Sequence, residues 1–314
     1  MKKILCAVLA LAAMASCTKE YTIDNPKQVI AFGDAFVNNG TRADYSDGTK
    51  KVSSFKVWGT VAGNYTTTPV YIFNGDEVKN TNGTTTVGYG DAWYCNNVQY
   101  WVPNAEYAFT AIVDGGFAKT DGVYDYTKIP FTVADGAANN DLLLATATAS
   151  VANNGTVTGL TNNLVAFTFD HLLSKLQFNQ PTHYMTGYTV VVTDITVTGV
   201  AEKGVYAKGS NNTWTWAQDG NTTTTLTFSP VTDGFETRQI LPIEQTLTVT
   251  VNYDVYIGAT KVSAVAKTGQ IPAQTYDKGT VYAITPKITA NQISFSVNTV
   301  GGWETGTTIT PTLQ

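Results

Sequence analysis

From residue 29 onward the chain keeps returning to one pattern: short runs in which apolar and polar residues alternate, separated by clusters of Asn, Gly, Asp and Thr. Residues 54–61, 69–73, 107–113 and 246–253 are clear examples. Successive side chains of a strand point to opposite faces, so alternation means one face packs on a core and the other meets water. Threonine, tyrosine, valine and phenylalanine carry these runs, and long stretches with a period of 3.6 are missing. The intervening segments 80–86, 153–155, 209–213 and 219–225 read as turns. Residues 169–176 break the rule and read as a single helical turn leading into a strand. The expectation is an all-β chain of antiparallel sandwiches.

At 314 residues the chain has room for two cores without staples. A boundary falls near residue 160. The run at 139–144 opens the last strand of a first half, 150–163 has little to bury, and 164–169 begins a new strong strand. The division is therefore a signal over 1–16, a propeptide over 17–42, and sandwiches over 43–160 and 161–314. Charged residues are 14% of the chain and the net charge is −5, with no basic patch, which argues against nucleic acid.

The N-terminus reads as an export signal: Lys2 and Lys3, an apolar run over 4–13, then Met14-Ala15-Ser16-Cys17. Cysteine behind Ala and Ser resembles the lipobox of bacterial lipoproteins, with Met14 where leucine is usual. A thiol is needed there to form a thioether to diacylglycerol. At about 0.8 kcal/mol per buried methylene, two or three acyl chains hold a protein on a membrane. The alternative is an ordinary cleaved signal containing Cys17. Cys6 leaves with the signal and Cys17 is consumed by lipid. Cys95 then stands alone, without an intrachain disulfide or a cysteine-based metal site.

Several motifs follow in order: Cys17, Thr41-Arg42-Ala43, Gln99-Tyr100-Trp101-Val102-Pro103, Asp141-Leu142-Leu143-Leu144-Ala145, residues 165–176, and Val300-Gly301-Gly302-Trp303. Together they resemble the fimbrillin family, the lipoprotein type V pilins and pilus-associated subunits of the Bacteroidetes. The resemblance spans nearly the whole mature chain. It implies two transthyretin-like antiparallel β-sandwich domains in tandem. It also implies an outer-membrane lipoprotein precursor that becomes part of a surface fimbrium by strand exchange and supports adhesion.

The residues offer parts for such assembly. Residues 29–37 form a strand with Ile30, Phe32 and Phe36 on one face and Asp34 the odd member. A polar linker, Asn38-Asn39-Gly40, leads to Arg42, and the chain's only other arginine is Arg238. Exposed linkers are where nicking concentrates, so a trypsin-like maturation protease would cut between Arg42 and Ala43. Arg238 lies among strand residues and is expected to be protected. Cleavage frees the first strand as a placeholder, and a strand of another subunit refills the groove. The other reading leaves Arg42 as a solvated linker residue and 29–37 as a permanent first strand. A donor would come from the C-terminus, where Ile309 and Leu313 are the apolar residues of the last segment. That weak apolar content keeps open a tip or anchor subunit. Partners are then other copies, other fimbrial subunits, the protease, and a host or bacterial surface ligand.

Catalysis is not expected. His171 and His183 are the only histidines and build no triad or metal motif; no cofactor or metal ion is implied. The rival reading is a surface glycan-binding lipoprotein. Trp214 and Trp216 stand two apart in a strand-like run, share a face, and could grip a sugar ring or pack on the core.

Overall fold

The structure, a computed structural model of the chain, describes residues 21–22, 28–37, 52, 54–63, 66–80, 93–113, 127–136, 140–211, 213–232 and 234–300. Among them there is no α-helix, and the fold is all-β. The first strands are β1 (Tyr21–Thr22), β2 (Phe32–Val37), β3 (Ser54–Gly63), β4 (Thr66–Asn80), β5 (Trp93–Cys95) and β6 (Ala105–Val113). Next come β7 (Lys128–Thr132), β8 (Leu143–Val151), β9 (Thr156–Thr158) and β10 (Val165–His171). One antiparallel sheet runs β1-β9-β8-β6-β3-β4-β5. β10 hangs from β8 by two paired residues, Asp170↔Leu144 and His171↔Leu143, and carries β2 beside it.

Alternation turns Phe55, Phe73 and Phe109 of that sheet inward, where they meet Phe167 and Phe169 of β10. The Phe55 and Phe167 rings lie edge to face at 5.2 Å. Gly59 makes this packing fit, because a β-carbon there would stand 2.8 Å from Phe73 and 2.9 Å from Phe109.

The second core begins with β11 (Ser174–Phe178), β12 (Thr182–His183), β13 (Thr189–Ala201), β14 (Lys203–Lys208), β15 (Trp214–Gln218) and β16 (Thr223–Phe228). It continues through β17 (Pro230–Val231), β18 (Gly234–Phe235), β19 (Thr237–Ile240) and β20 (Glu244–Ile257). The last strands are β21 (Thr260–Thr275), β22 (Val281–Ile288) and β23 (Ile293–Val300). A β16-β13-β20-β21 sheet is antiparallel, and β20 alternates cleanly: Leu247, Val249, Val251, Tyr253 and Val255 are buried. The expected antiparallel arrangement is not universal, since β2 with β10, β11 with β22, and β12 with β22 are parallel pairs.

Strand pairing crosses residue 160 in both directions. β7 leaves the first sheet and pairs with β14, burying Ile129, Phe131 and Val133 in the second core. β10 lies after the expected boundary, yet Val165, Phe167 and Phe169 belong to the first core. The chain therefore passes between the two cores from β6 to β7, from β7 to β8, and from β10 to β11.

The helical turn expected over 169–176 is absent. β10 is paired through His171, and two buried leucines, Leu172 and Leu173, then carry the chain directly into β11. Leu172 N donates to Leu142 O at 2.9 Å, and His171 Nδ1 lies 2.5 Å from Asp141 Oδ2. With both cores claiming apolar residues here, extended backbone buries more than a helical turn.

The segment after β7 is also pinned to the second half. Arg238, only 7% exposed as expected, donates from Nε to Asp135 Oδ1 at 3.0 Å and from Nη2 to Glu236 Oε2 at 2.7 Å. Its guanidinium stands 5.7 Å from the centre of the Phe228 ring.

Candidate functional site

The site is the slot filled by residues 28–37. Ile30 N donates to Gln99 O at 2.8 Å, and Trp101 N donates to Gln28 O at 2.9 Å, so the entry runs antiparallel to 99–101. Val165 N then donates to Ala31 O at 2.9 Å, and from Phe32 the strand runs parallel to β10. Ile30, Phe32 and Ala35 are 4%, 3% and 5% exposed. Phe32 is a hub of the first core, with Phe73 at 5.2 Å, Phe109 and Phe167 at 6.1 Å, and Phe55 at 6.2 Å.

Strict alternation would continue Ile30, Phe32, Asp34, Phe36 into the core. The structure departs from this at Asp34, which has no register partner: Gly33 pairs with Ala166 and Ala35 with Phe167. A bulge uses up one residue and resets the phase, so Ala35 follows Phe32 inward. Phe36 pairs by its backbone with Thr168, and its side chain is outside the described part. The sequence signal of the bulge was the misplaced Asp34 itself.

Cys17, Arg42, Ala43, Ile309 and Leu313 lie outside the described residues. Trp214 and Trp216 share a face of β15, half-buried against the second core, with Tyr206 at 5.1 Å and 5.2 Å. The Trp216 indole N–H donates to Leu172 O at 2.8 Å, so this ring fastens the junction between the cores. The pair therefore packs on the second core, with one polar handle already engaged. Cys95, in β5, is half-buried, and burial first, aided by the nearby Asp76 charge, pushes its thiol above the ordinary value. The described residues hold no group of three or more metal-ligating side chains.

A two-core β protein whose first core is closed by a strand from the chain's own beginning is the class these features define. A family model described as fimbrillin-like matches residues 41–303, and the chain belongs to that family. No curated protein sequence matches it. Among solved structures, a fimbrial protein of Bacteroides vulgatus is 17% identical with a TM-score of 0.53, over 88% of this chain and all of that one. A proposed cell adhesion protein of Bacteroides ovatus is 14% identical with a TM-score of 0.56, over 90% of this chain and all of its own. Another, of Bacteroides uniformis, is 12% identical with a TM-score of 0.54, over 88% and 98%. At these identities the likeness is one of fold.

Proposed function

We propose that the chain is a subunit of cell-surface fimbriae. It is exported as a lipoprotein anchored through Cys17 in the outer membrane, cleaved between Arg42 and Ala43, and assembled by β-strand exchange to support adhesion. The carrying observation is the seat of residues 28–37: they fill the centre of the first core, yet their backbone partners are confined to β10 and 99–101. Arg42 follows Val37 by five residues, and the family match starts at residue 41, just beyond this strand. While the linker is intact the first core is complete and the precursor is a monomer. After cleavage the strand is held only by contacts, with Ile30 and Phe32 contributing about 1.5–3 kcal/mol each. An incoming strand of another subunit replaces those contacts and adds main-chain register.

β23 favours a tip or anchor role as the second reading. It is paired with β22 at eight successive positions in the same chain. The apolar supply left for a donor beyond it is then chiefly Ile309 and Leu313.

The test is to treat residues 17–314 with an arginine-specific protease. Ladders on an unheated gel after Ala43 becomes the N-terminus, and a monomeric Arg42→Ala control, are expected. A cleaved protein that stays monomeric and keeps 28–37 seated would move the chain to the tip or anchor reading.

A further inference from the structure

Two of the motifs that mark this chain in sequence meet in space. Asp141-Leu142-Leu143-Leu144-Ala145 and the end of β10 form a short antiparallel ladder. Asp170 pairs with Leu144 and His171 with Leu143, and Leu172 N donates to Leu142 O at 2.9 Å. The Asp141 carboxylate closes it: Oδ1 accepts from Leu142 N at 2.9 Å, and Oδ2 lies 2.5 Å from His171 Nδ1. The other half of the molecule grips the same place. Trp216 Nε1 donates to Leu172 O at 2.8 Å, and Gly279 N to Leu173 O at 2.7 Å.

The part of β10 ahead of this clamp depends on the slot's occupant. Among the described residues, every strand pairing of 165–169 is with β2. Val165 N donates to Ala31 O, and the two strands are so close that a β-carbon on Gly33 would stand 3.2 Å from Leu164 Cβ. Yet Val165, Phe167 and Phe169 are a wall of the slot, buried with Phe55 and Phe32. Departure of β2 takes away both the ladder of this wall and its aromatic filling. An extended segment whose backbone groups have lost their partners stays in line only where its ends are fixed. At the start of β10, the backbone hydrogen bonds of Thr161 and Leu164 are to each other, closing a turn on itself. The firm attachment is at the other end.

We propose that Asp141 and His171 are positioning residues for strand capture: their ladder keeps β10 aligned once β2 has left, so that the empty slot retains a wall on which an incoming strand can pair. The proposal rests on the strand-exchange reading and names what makes the vacated groove competent. Without the clamp, an incoming strand must order β10 as it binds, and its apparent affinity falls with the fraction of molecules whose wall is already set. A pair that served stability alone would weaken the closed and open forms alike.

Two measurements test it. Chains of residues 17–314 are labelled at the N-terminus, cleaved after Arg42 and diluted, and release of the 17–42 fragment is followed by fluorescence anisotropy. His171→Ala and Asp141→Ala each weaken retention of the fragment about tenfold, and the double variant does no worse than either, because the two act as one pair. His171→Gln, which keeps an N–H donor, recovers part of the loss. The control is Gln245→Ala, which loses hydrogen bonds to Ala201 N and Leu241 O inside the second core and releases the fragment as the parent does. Parent-like release by the clamp variants, or an equal loss in Gln245→Ala, overturns the proposal. The second measurement is hydrogen exchange in the uncleaved Phe32→Ala chain, where β2 is loosened without cleavage. Amides of 165–169 open ahead of those of 170–173, and adding His171→Ala spreads the opening through 170–173. Uniform opening of 165–173 in Phe32→Ala alone overturns the clamp. If the cleaved parent releases no fragment at any dilution, strand exchange has failed, and the hydrogen-exchange pattern still decides whether Asp141 and His171 hold β10.

Discussion

At the residue scale, Phe32 and Asp135 show how much can hang on one side chain. Phe32 touches aromatic rings from three strands of the main sheet and from β10, so no single neighbour can collapse into its space. Phe32→Ala should cost about 3–5 kcal/mol in urea denaturation of the uncleaved chain; a loss below about 1 kcal/mol would show that the strand is not part of the core. Asp135 is different in kind. Burial opposes its ionisation, but hydrogen bonds from Thr227 N and the Arg238 guanidinium outweigh it and hold the carboxyl below its usual 3.8. A lowered folded-state pKa means the stabilisation is complete above the ordinary carboxylate value and is lost as pH falls through the lowered one. Asp135→Asn should therefore cost about 1 kcal/mol at neutral pH, since a carboxylate that is 35% exposed is partly screened by water, with the deficit shrinking in acid. Equal deficits at pH 7 and in strong acid would sink this account.

At the element scale, the strands were legible and their partners were not. Period-2 alternation over 246–253 placed β20 and its inward side chains correctly, because burial of one face is a local property. Residues 128–132 carry no mark of joining β14 across the nominal boundary, because pairing is set by distant residues. Nor does the sequence of β10 state that its neighbour runs parallel. The slot was half legible: Ile30 and Phe32 followed from alternation, whereas the bulge at Asp34 and the demand for glycine at 33 depend on Leu164, more than a hundred residues away in sequence. β5 gives a simpler expectation. Cys95 is the one cysteine among the described residues, and its raised pKa keeps it a thiol. Melting curves of the soluble chain should superimpose with and without reductant. A reductant-dependent shift would reveal a bridge between molecules.

For the whole molecule, the proposed function turns on which end of the chain is tethered and when. Cys17→Ala should abolish surface display in the native host, because lipid at that position is the membrane attachment the reading provides. Normal surface levels of the variant, measured by protease accessibility on intact cells, would remove the lipoprotein step and leave the groove unaffected. On the proposed reading, cleavage at Arg42 would act downstream of that anchor, and departure of residues 28–37 would then open the groove and free the subunit from the lipid.

The three passages of the chain between its cores have a mechanical meaning. Two sandwiches joined by one linker behave under tension as separate beads, each yielding by itself and lengthening the thread. Here β7 is held in one core between strands that belong to the other, so stretching one half loads the rungs of its neighbour. Pulled end to end in a force spectrometer, the molecule should give a coupled rupture in place of two independent ones. A thread of such units resists flow by stiffness, at the expense of extensibility.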